Sequence, residues 1–215
     1  MKRFGILLLM LALSSLACET LLGTADQANN QPPADQSPVQ PPVLQIPNLS
    51  GVTLGDVVRD EGCGYTFRKI PGYTLSGTPG WGYTMTAPGA KSDTGPEIAI
   101  FCLVSRSTAR TNDDVIKKLK ENSSSTPEAN PIIYSNQRNV TIGGVNAISL
   151  DSTVTTPDGI AVKGQEIFAM VTPYREFTII AEALSDKWDE THPYFEAVVN
   201  SITFFEPTTT PTTNP

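Results

Sequence analysis

The sequence holds one histidine, His192, among 215 residues. A single imidazole excludes a His-based metal centre and a Ser-His-Asp triad. Three cysteines are present, none in a C-x-x-C spacing, which removes a redox pair. No G-x-S-x-G, Walker or dinucleotide-binding pattern occurs. Asp113-Asp114 and Asp158-Gly159 stand outside any D-x-[DN]-x-[DN]-G calcium loop. Positive charge is also scarce, with 15 basic against 22 acidic residues and a formal charge of −7. Without a basic stripe, nucleic acid and anionic lipid surfaces drop out as partners. The longest apolar run, Phe4 to Ala17, falls short of the roughly 20 residues that cross a bilayer.

That run has another reading. Lys2 and Arg3 precede it and Ser15-Leu16-Ala17-Cys18 follows, the layout of a secretory signal peptide over residues 1–17. A small residue before a cysteine resembles a bacterial lipobox, although Ser15 stands where the strongest lipoboxes carry Leu. Cys18 is therefore expected to carry lipid, with an ordinary cleavage site as the alternative. Two or more acyl chains hold a protein stably on a membrane, which implies an anchor at the extracytoplasmic face of the cell membrane.

Residues 18–61 open with a stretch rich in Gln, Asn, Pro and Ala and poor in aromatics. Such a composition cannot bury enough apolar area to offset its ordering entropy, and its prolines favour extended backbone. It reads as a disordered stalk. Residues 206–215 read as a disordered Thr/Pro tail, which leaves a single folded domain over 62–205.

Setting Cys18 aside, Cys63 and Cys102 remain. An even pair in an exported domain suggests a disulfide. Cys102 lies within IAIFCLV, so a free buried thiol is the alternative.

Alternation and turn signals place strands at Tyr65–Ile70, Tyr83–Thr86 and Glu97–Val104, the last apolar on both parities and so covered on both faces. Thr111 caps a helix with Asp113 and Asp114 in its first turn and the stripe Val115, Ile116, Leu119. Further strands fall at Ile132–Ile142 with an interruption, Asn146–Thr155, Val162–Val171 and Glu176–Ala183. The last three form a meander through Thr156-Pro157-Asp158-Gly159 and Thr172-Pro173-Tyr174-Arg175. A second helix starts near Thr191, with Pro193 in its first turn and Phe195, Val198, Val199 and Ile202 on one face. Ser201–Phe205 closes as a short strand. The inventory predicts an α+β fold: an α/β/α sandwich with a central, mostly antiparallel sheet of about six to seven strands and two main helices.

Several segments carry a family resemblance. Gly64-Tyr65-Thr66-Phe67 through Pro71-Gly72-Tyr73 is similar to the opening strand and turn of the PsbP/Mog-like family. Thr141-Ile142-Gly143-Gly144-Val145-Asn146-Ala147 resembles its Gly-Gly turn. Trp188, His192-Pro193-Tyr194-Phe195 and Asn200-Ser201-Ile202-Thr203-Phe204 resemble its closing helix and strand. The resemblance spans almost the whole domain and implies a non-catalytic accessory or binding role, often in bacterial lipoproteins. It carries over no cofactor and no metal ligands.

The triplet Gly-Tyr-Thr occurs at 64, 72 and 82 without a constant period, which argues against a repeat. It leaves Tyr73, Trp81 and Tyr83 as a candidate ligand or partner contact. His192, beside Pro193, reads as a capping or surface residue. Asp151, Asp158, Glu166, Glu176 and Glu182 read as solvated carboxylates rather than a catalytic pair. The expected protein is a non-enzymatic envelope lipoprotein that binds a protein or assembly partner. The alternative is a small-molecule or glycan-binding lipoprotein built on the aromatic cluster.

Overall fold

The computed structural model describes residues 51–90, 95–104, 108–124 and 131–208. The signal segment, Cys18, the stalk up to Ser50 and the tail beyond Thr208 lie outside the described residues.

Among the described residues, ten strands and two helices follow in order: β1 (Val57–Asp60), β2 (Tyr65–Arg68), β3 (Thr74–Thr78), β4 (Gly82–Thr86), β5 (Glu97–Val104), α1 (Asn112–Ser124), β6 (Ile133–Ile142), β7 (Val145–Thr155), β8 (Ala161–Thr172), β9 (Arg175–Leu184), α2 (Trp188–Asn200) and β10 (Thr203–Phe204). Seven strands form one sheet in the order β3-β4-β5-β9-β8-β7-β6, antiparallel at every pairing. This is the expected α+β sandwich. The meander β7-β8-β9 pairs as its turn residues predict. Gly143 and Gly144, at φ of 52° and 82°, form the two-residue β6–β7 turn that demands two left-handed residues.

Each face of the sheet has its own helix. On one face Val115 and Ile116 of α1 pack against Ile148, Leu150 and Phe168. Helix α1 starts with a reciprocal cap. Thr111 Oγ1 accepts the Asp114 N–H at 3.2 Å, and Asp114 Oδ2 accepts the Thr111 N–H at 2.8 Å. Thr111 Oγ1 also donates to Asp114 Oδ2 at 2.8 Å, and this bond together with that from the Thr111 N–H holds the Asp114 carboxyl below the usual range. On the other face Phe195, Val198 and Val199 of α2 meet Ile98, Ile100, Phe177 and Ile179 in the larger core.

Four expectations are corrected. First, the folded part begins before Gly62. Val57–Asp60 is a strand paired with β2, and Leu54 packs on the core, because apolar residues at alternate positions let the end of the stalk segment bury one side. Second, Tyr65–Arg68 stays out of the large sheet. It forms a three-stranded sheet, β1-β2-β10, whose Tyr65 and Phe67 enter the α2-side core. Third, the second Gly-Tyr-Thr copy runs into a strand, since Thr74–Thr78 pairs with β4 at the sheet edge; its polar, Gly-containing sequence hides a strand exposed to solvent. Fourth, α2 starts at Trp188, so Pro193 lies inside the helix. The proline removes one donor and is tolerated where the flanking turns are packed on the sheet.

The two sheets are joined covalently and by buried polar contacts. Cys63 and Cys102 form a disulfide with Cα atoms 6.1 Å apart. Next to it, the fully buried carboxylate of Asp60 accepts the Cys63 N–H at 2.9 Å and the Gly80 N–H at 2.8 Å. Arg175 Nη1 donates to the Cys63 and Phe205 carbonyls, both at 3.2 Å.

Candidate functional site

Beneath α2 the sheet changes character part-way along its strands. Residues two apart on a strand share a face. On β8 the α2-facing series runs Ala169, Ile167, Gln165, Lys163; on β7 it runs Ala147, Ser149, Asp151, Thr153; on β6 it passes from Val140 to Arg138. The register aligns these breaks: Arg138 lies opposite Ser149 and Asp151 opposite Gln165. Ala169, Ile167, Ala147 and Val140 belong to the core. Beyond them lies a polar shelf, with α2 along one side.

The shelf is one connected network. His192 Nε2 sits 2.9 Å from Gln165 Oε1, and Gln165 Nε2 donates to Ser149 Oγ at 2.8 Å. Arg138 Nη2 donates to Ser149 Oγ at 3.4 Å and to Asp151 Oδ1 at 2.8 Å. Asn136 Nδ2 donates to Asp151 Oδ2 at 2.9 Å. Gln165 is 7% exposed and Ser149 0%, whereas the side chains of Arg138, Asp151 and His192 stay about one-third exposed. Buried amide and hydroxyl groups thus fix the orientation of groups that reach solvent. Because the Gln165 amide nitrogen serves Ser149, its oxygen faces His192 as an acceptor, so His192 donates from Nε2. The His192 ring lies 5.2 Å from the Trp188 ring, which closes the α2 side of the shelf.

The far side is set by an irregularity in β6. The β6–β7 register shifts between Ser135 and Arg138, and Asn136 adopts φ of 48°, the one non-glycine residue at positive φ among the described residues. A bulge re-aims the side chains it contains. Here it turns Asn136 onto Asp151. The interruption expected within Ile132–Ile142 is this bulge. His192 is corrected from a capping or surface group to a half-buried, hydrogen-bonded one, because α2 starts one turn earlier and rotates the imidazole onto the sheet.

The aromatic candidates fall elsewhere. Tyr73 and Trp81 flank opposite ends of the β3–β4 hairpin, separated by a five-residue strand, roughly 17 Å at strand rise. Tyr73 pairs with Tyr194 at 6.4 Å and Tyr83 with Phe67 at 5.7 Å. Tyr73 and Tyr83 are both packed against the core. Burial pushes both phenols up. Trp81 is half-buried, and its carbonyl accepts the Cys102 N–H at 2.9 Å. The structure does not bring the three rings together as one platform.

Of the carboxylates read as solvated, Glu166 and Glu176 are buried, at 7% and 6% exposure. Both lie on the α1 face. Burial pushes Glu166 up to about 7, opposed by a hydrogen bond from Tyr134 and reinforced by Glu182. Burial also raises Glu176, opposed by Arg110, whose Nη1 lies 2.9 Å from Oε2 without hydrogen-bond alignment. Among the described residues, no three His, Cys, Asp or Glu side chains gather as a metal-binding group.

No family model and no curated protein matches the sequence. Among solved structures the chain is similar to the cyanobacterial PsbP (CyanoP) of Synechocystis. The TM-score is 0.54 at 16% identity, covering 73% of this chain and 95% of that one. The fold is PsbP/Mog-like. LpqN of Mycobacterium tuberculosis, involved in cell envelope biogenesis, matches at TM-score 0.48 and 14% identity over 69% of this chain and 84% of its own. The Saccharomyces cerevisiae Ran-binding protein Mog1p matches at 0.47 and 10% over 71% and 96%. At these identities the likeness is one of fold. Within this PsbP/Mog-like fold, the residues that sequence reading assigned to the closing helix motif, Trp188 and His192, also edge the polar shelf.

Proposed function

We propose that the chain is an exported, non-catalytic accessory protein, tethered by lipid on Cys18, that binds an envelope component through the shelf beside α2. The observation that carries this reading is the Cys63–Cys102 disulfide, with both cysteines buried inside the domain at 1% and 3% exposure. Disulfides persist in oxidising compartments. The pairing also leaves Cys18 as the one cysteine outside it, at the position a lipid would occupy. Among the described residues no helix is long and apolar enough to cross a membrane. A protein partner was the first expectation from the sequence and a glycan the second. The glycan alternative is tied to Tyr73, Trp81 and Tyr83, which lie apart; a glycan reading rests instead on the shelf, whose exposed groups include both donors and acceptors.

Labelled-palmitate incorporation in a bacterial host, followed by membrane fractionation, tests the tether. Label and membrane association are expected in the wild-type chain and lost in Cys18→Ala. Label that survives the substitution overturns the lipoprotein reading.

A further inference from the structure

We propose that the shelf formed by Trp188, His192, Lys163, Asp151, Arg138 and Asn136 binds a neutral saccharide of one or two pyranose rings. The inference rests on the binding role argued above and names the ligand class of the same site. Every sugar hydroxyl both donates and accepts, so it needs both kinds of group within reach. The shelf presents donors in the Arg138 guanidinium and the exposed Lys163 ammonium. It presents an acceptor in the Asp151 carboxylate, whose side chain stays about one-third exposed. The buried Ser149 and Gln165 hold Arg138 and His192 in place before any ligand arrives, which lowers the ordering cost of binding.

Charge selects among ligands. Arg138 and Asp151 cancel within their ion pair at 2.8 Å. Glu196 Oε1 lies 3.7 Å from His192 Nε2 and adds a carboxylate on the α2 side. An anion at Arg138 would meet the Asp151 carboxylate already paired with it, so that guanidinium offers little uncompensated charge to repay the anion's desolvation. The Trp188 and His192 rings, 5.2 Å apart and tilted by 41°, give the shelf an aromatic edge against which the C–H groups of a pyranose ring can pack. From Gln165 on β8 to Arg138 on β6 is two strand spacings, roughly 10 Å, a span matching one or two rings. The positive-φ Asn136 sits in the bulge that completes the far wall. Strained residues of this kind persist where the surroundings hold them, and they cluster at ligand sites.

Isothermal titration calorimetry on the purified full chain tests the proposal, with trehalose, maltose, N,N′-diacetylchitobiose and inorganic phosphate as probes. Saturable binding of at least one of the three saccharides is expected, with no binding of phosphate. Asp151→Asn and Lys163→Ala, each checked for an unchanged melting curve, should each weaken it about tenfold or more, a loss in line with one charge-assisted hydrogen bond. Trp81→Ala should leave it unchanged. Silence from all three saccharides, preference for phosphate, or binding lost in Trp81→Ala but kept in Asp151→Asn overturns the saccharide site. None of these results bears on palmitate labelling of Cys18, so the two readings fail separately.

Discussion

His192 Nε2 and Gln165 Oε1 lie 2.9 Å apart, so the imidazole of α2 is hydrogen-bonded to a side chain of β8 that is 7% exposed. The amide passes the contact on to Ser149 at 2.8 Å. Removing the imidazole leaves a buried amide oxygen without its donor. His192→Ala should therefore destabilise the fold by roughly 1–3 kcal/mol. Urea denaturation of the two chains side by side measures it. An unchanged midpoint would show that water replaces the imidazole at no cost and that the network does not hold the shelf.

Glu166 makes stability depend on pH in an unusual direction. Its carboxyl titrates at about 7 in the fold, chiefly through burial, against an ordinary 4.5. Between those values the folded state holds a proton that the unfolded state has released. Stability from this group is thus complete below about 4.5, falls as pH rises towards 7 and is flat above. The span corresponds to roughly 3 kcal/mol. Glu166→Gln keeps an acceptor for Tyr134 and removes the titration. The variant should be more stable than wild type at pH 8 and nearly equal to it near pH 4.5. Chemical denaturation of both chains across that range isolates Glu166 from Glu176, which titrates in both. Parallel curves would overturn the assignment.

Much of the architecture was legible because it is written in local pattern. The apolar run of β5, the turn residues between β7, β8 and β9, and the paired glycines at 143 and 144 each specify their element. So does the Thr111–Asp114 cap. The order of strands was legible only where tight turns forced neighbours to pair. That Tyr65–Arg68 leaves the large sheet depends on β1 and β10, from the two ends of the domain, meeting on either side of it. No local signal encodes that contact. The shelf was hidden for the same reason, since Arg138, Asp151, Gln165 and His192 are brought together by register and by one extra turn of helix. The burial of Glu166 had a faint signal: it sits in a run, Gly164 to Ala169, that is buried throughout, and a strand covered on both faces buries its charged residues too.

The disulfide closes 39 residues between Cys63 and Cys102. In the chain-entropy account a loop of that size contributes roughly 3–4 kcal/mol. A Cys63→Ala/Cys102→Ala double variant should lower the denaturation midpoint accordingly, with no excess effect from adding reductant. Thiol titration of the unfolded, unreduced wild-type chain should find no free thiol from this pair. A reductant-insensitive wild-type midpoint would count against a formed bond in the exported protein.

Asp60 offers the sharpest test of how the small sheet is held. Its carboxylate is fully buried and accepts from the backbone of Cys63 on one side and of Gly80 on the other. Gly80 cannot retreat, because a Cβ on Gly62 would already lie 2.8 Å from its Cα. Asp60→Ala leaves two buried donors unpaired and should cost roughly 3 kcal/mol or more. Asp60→Asn keeps one acceptor oxygen and should cost less than the alanine, although its amide N–H faces the same donors. Hydrogen exchange should then show the Gly80 amide opening in Asp60→Ala before the amides of β8 and β9 do. Uniform exchange across both sheets would mean that the disulfide, Arg175 and core packing join them without Asp60, which then only fills space.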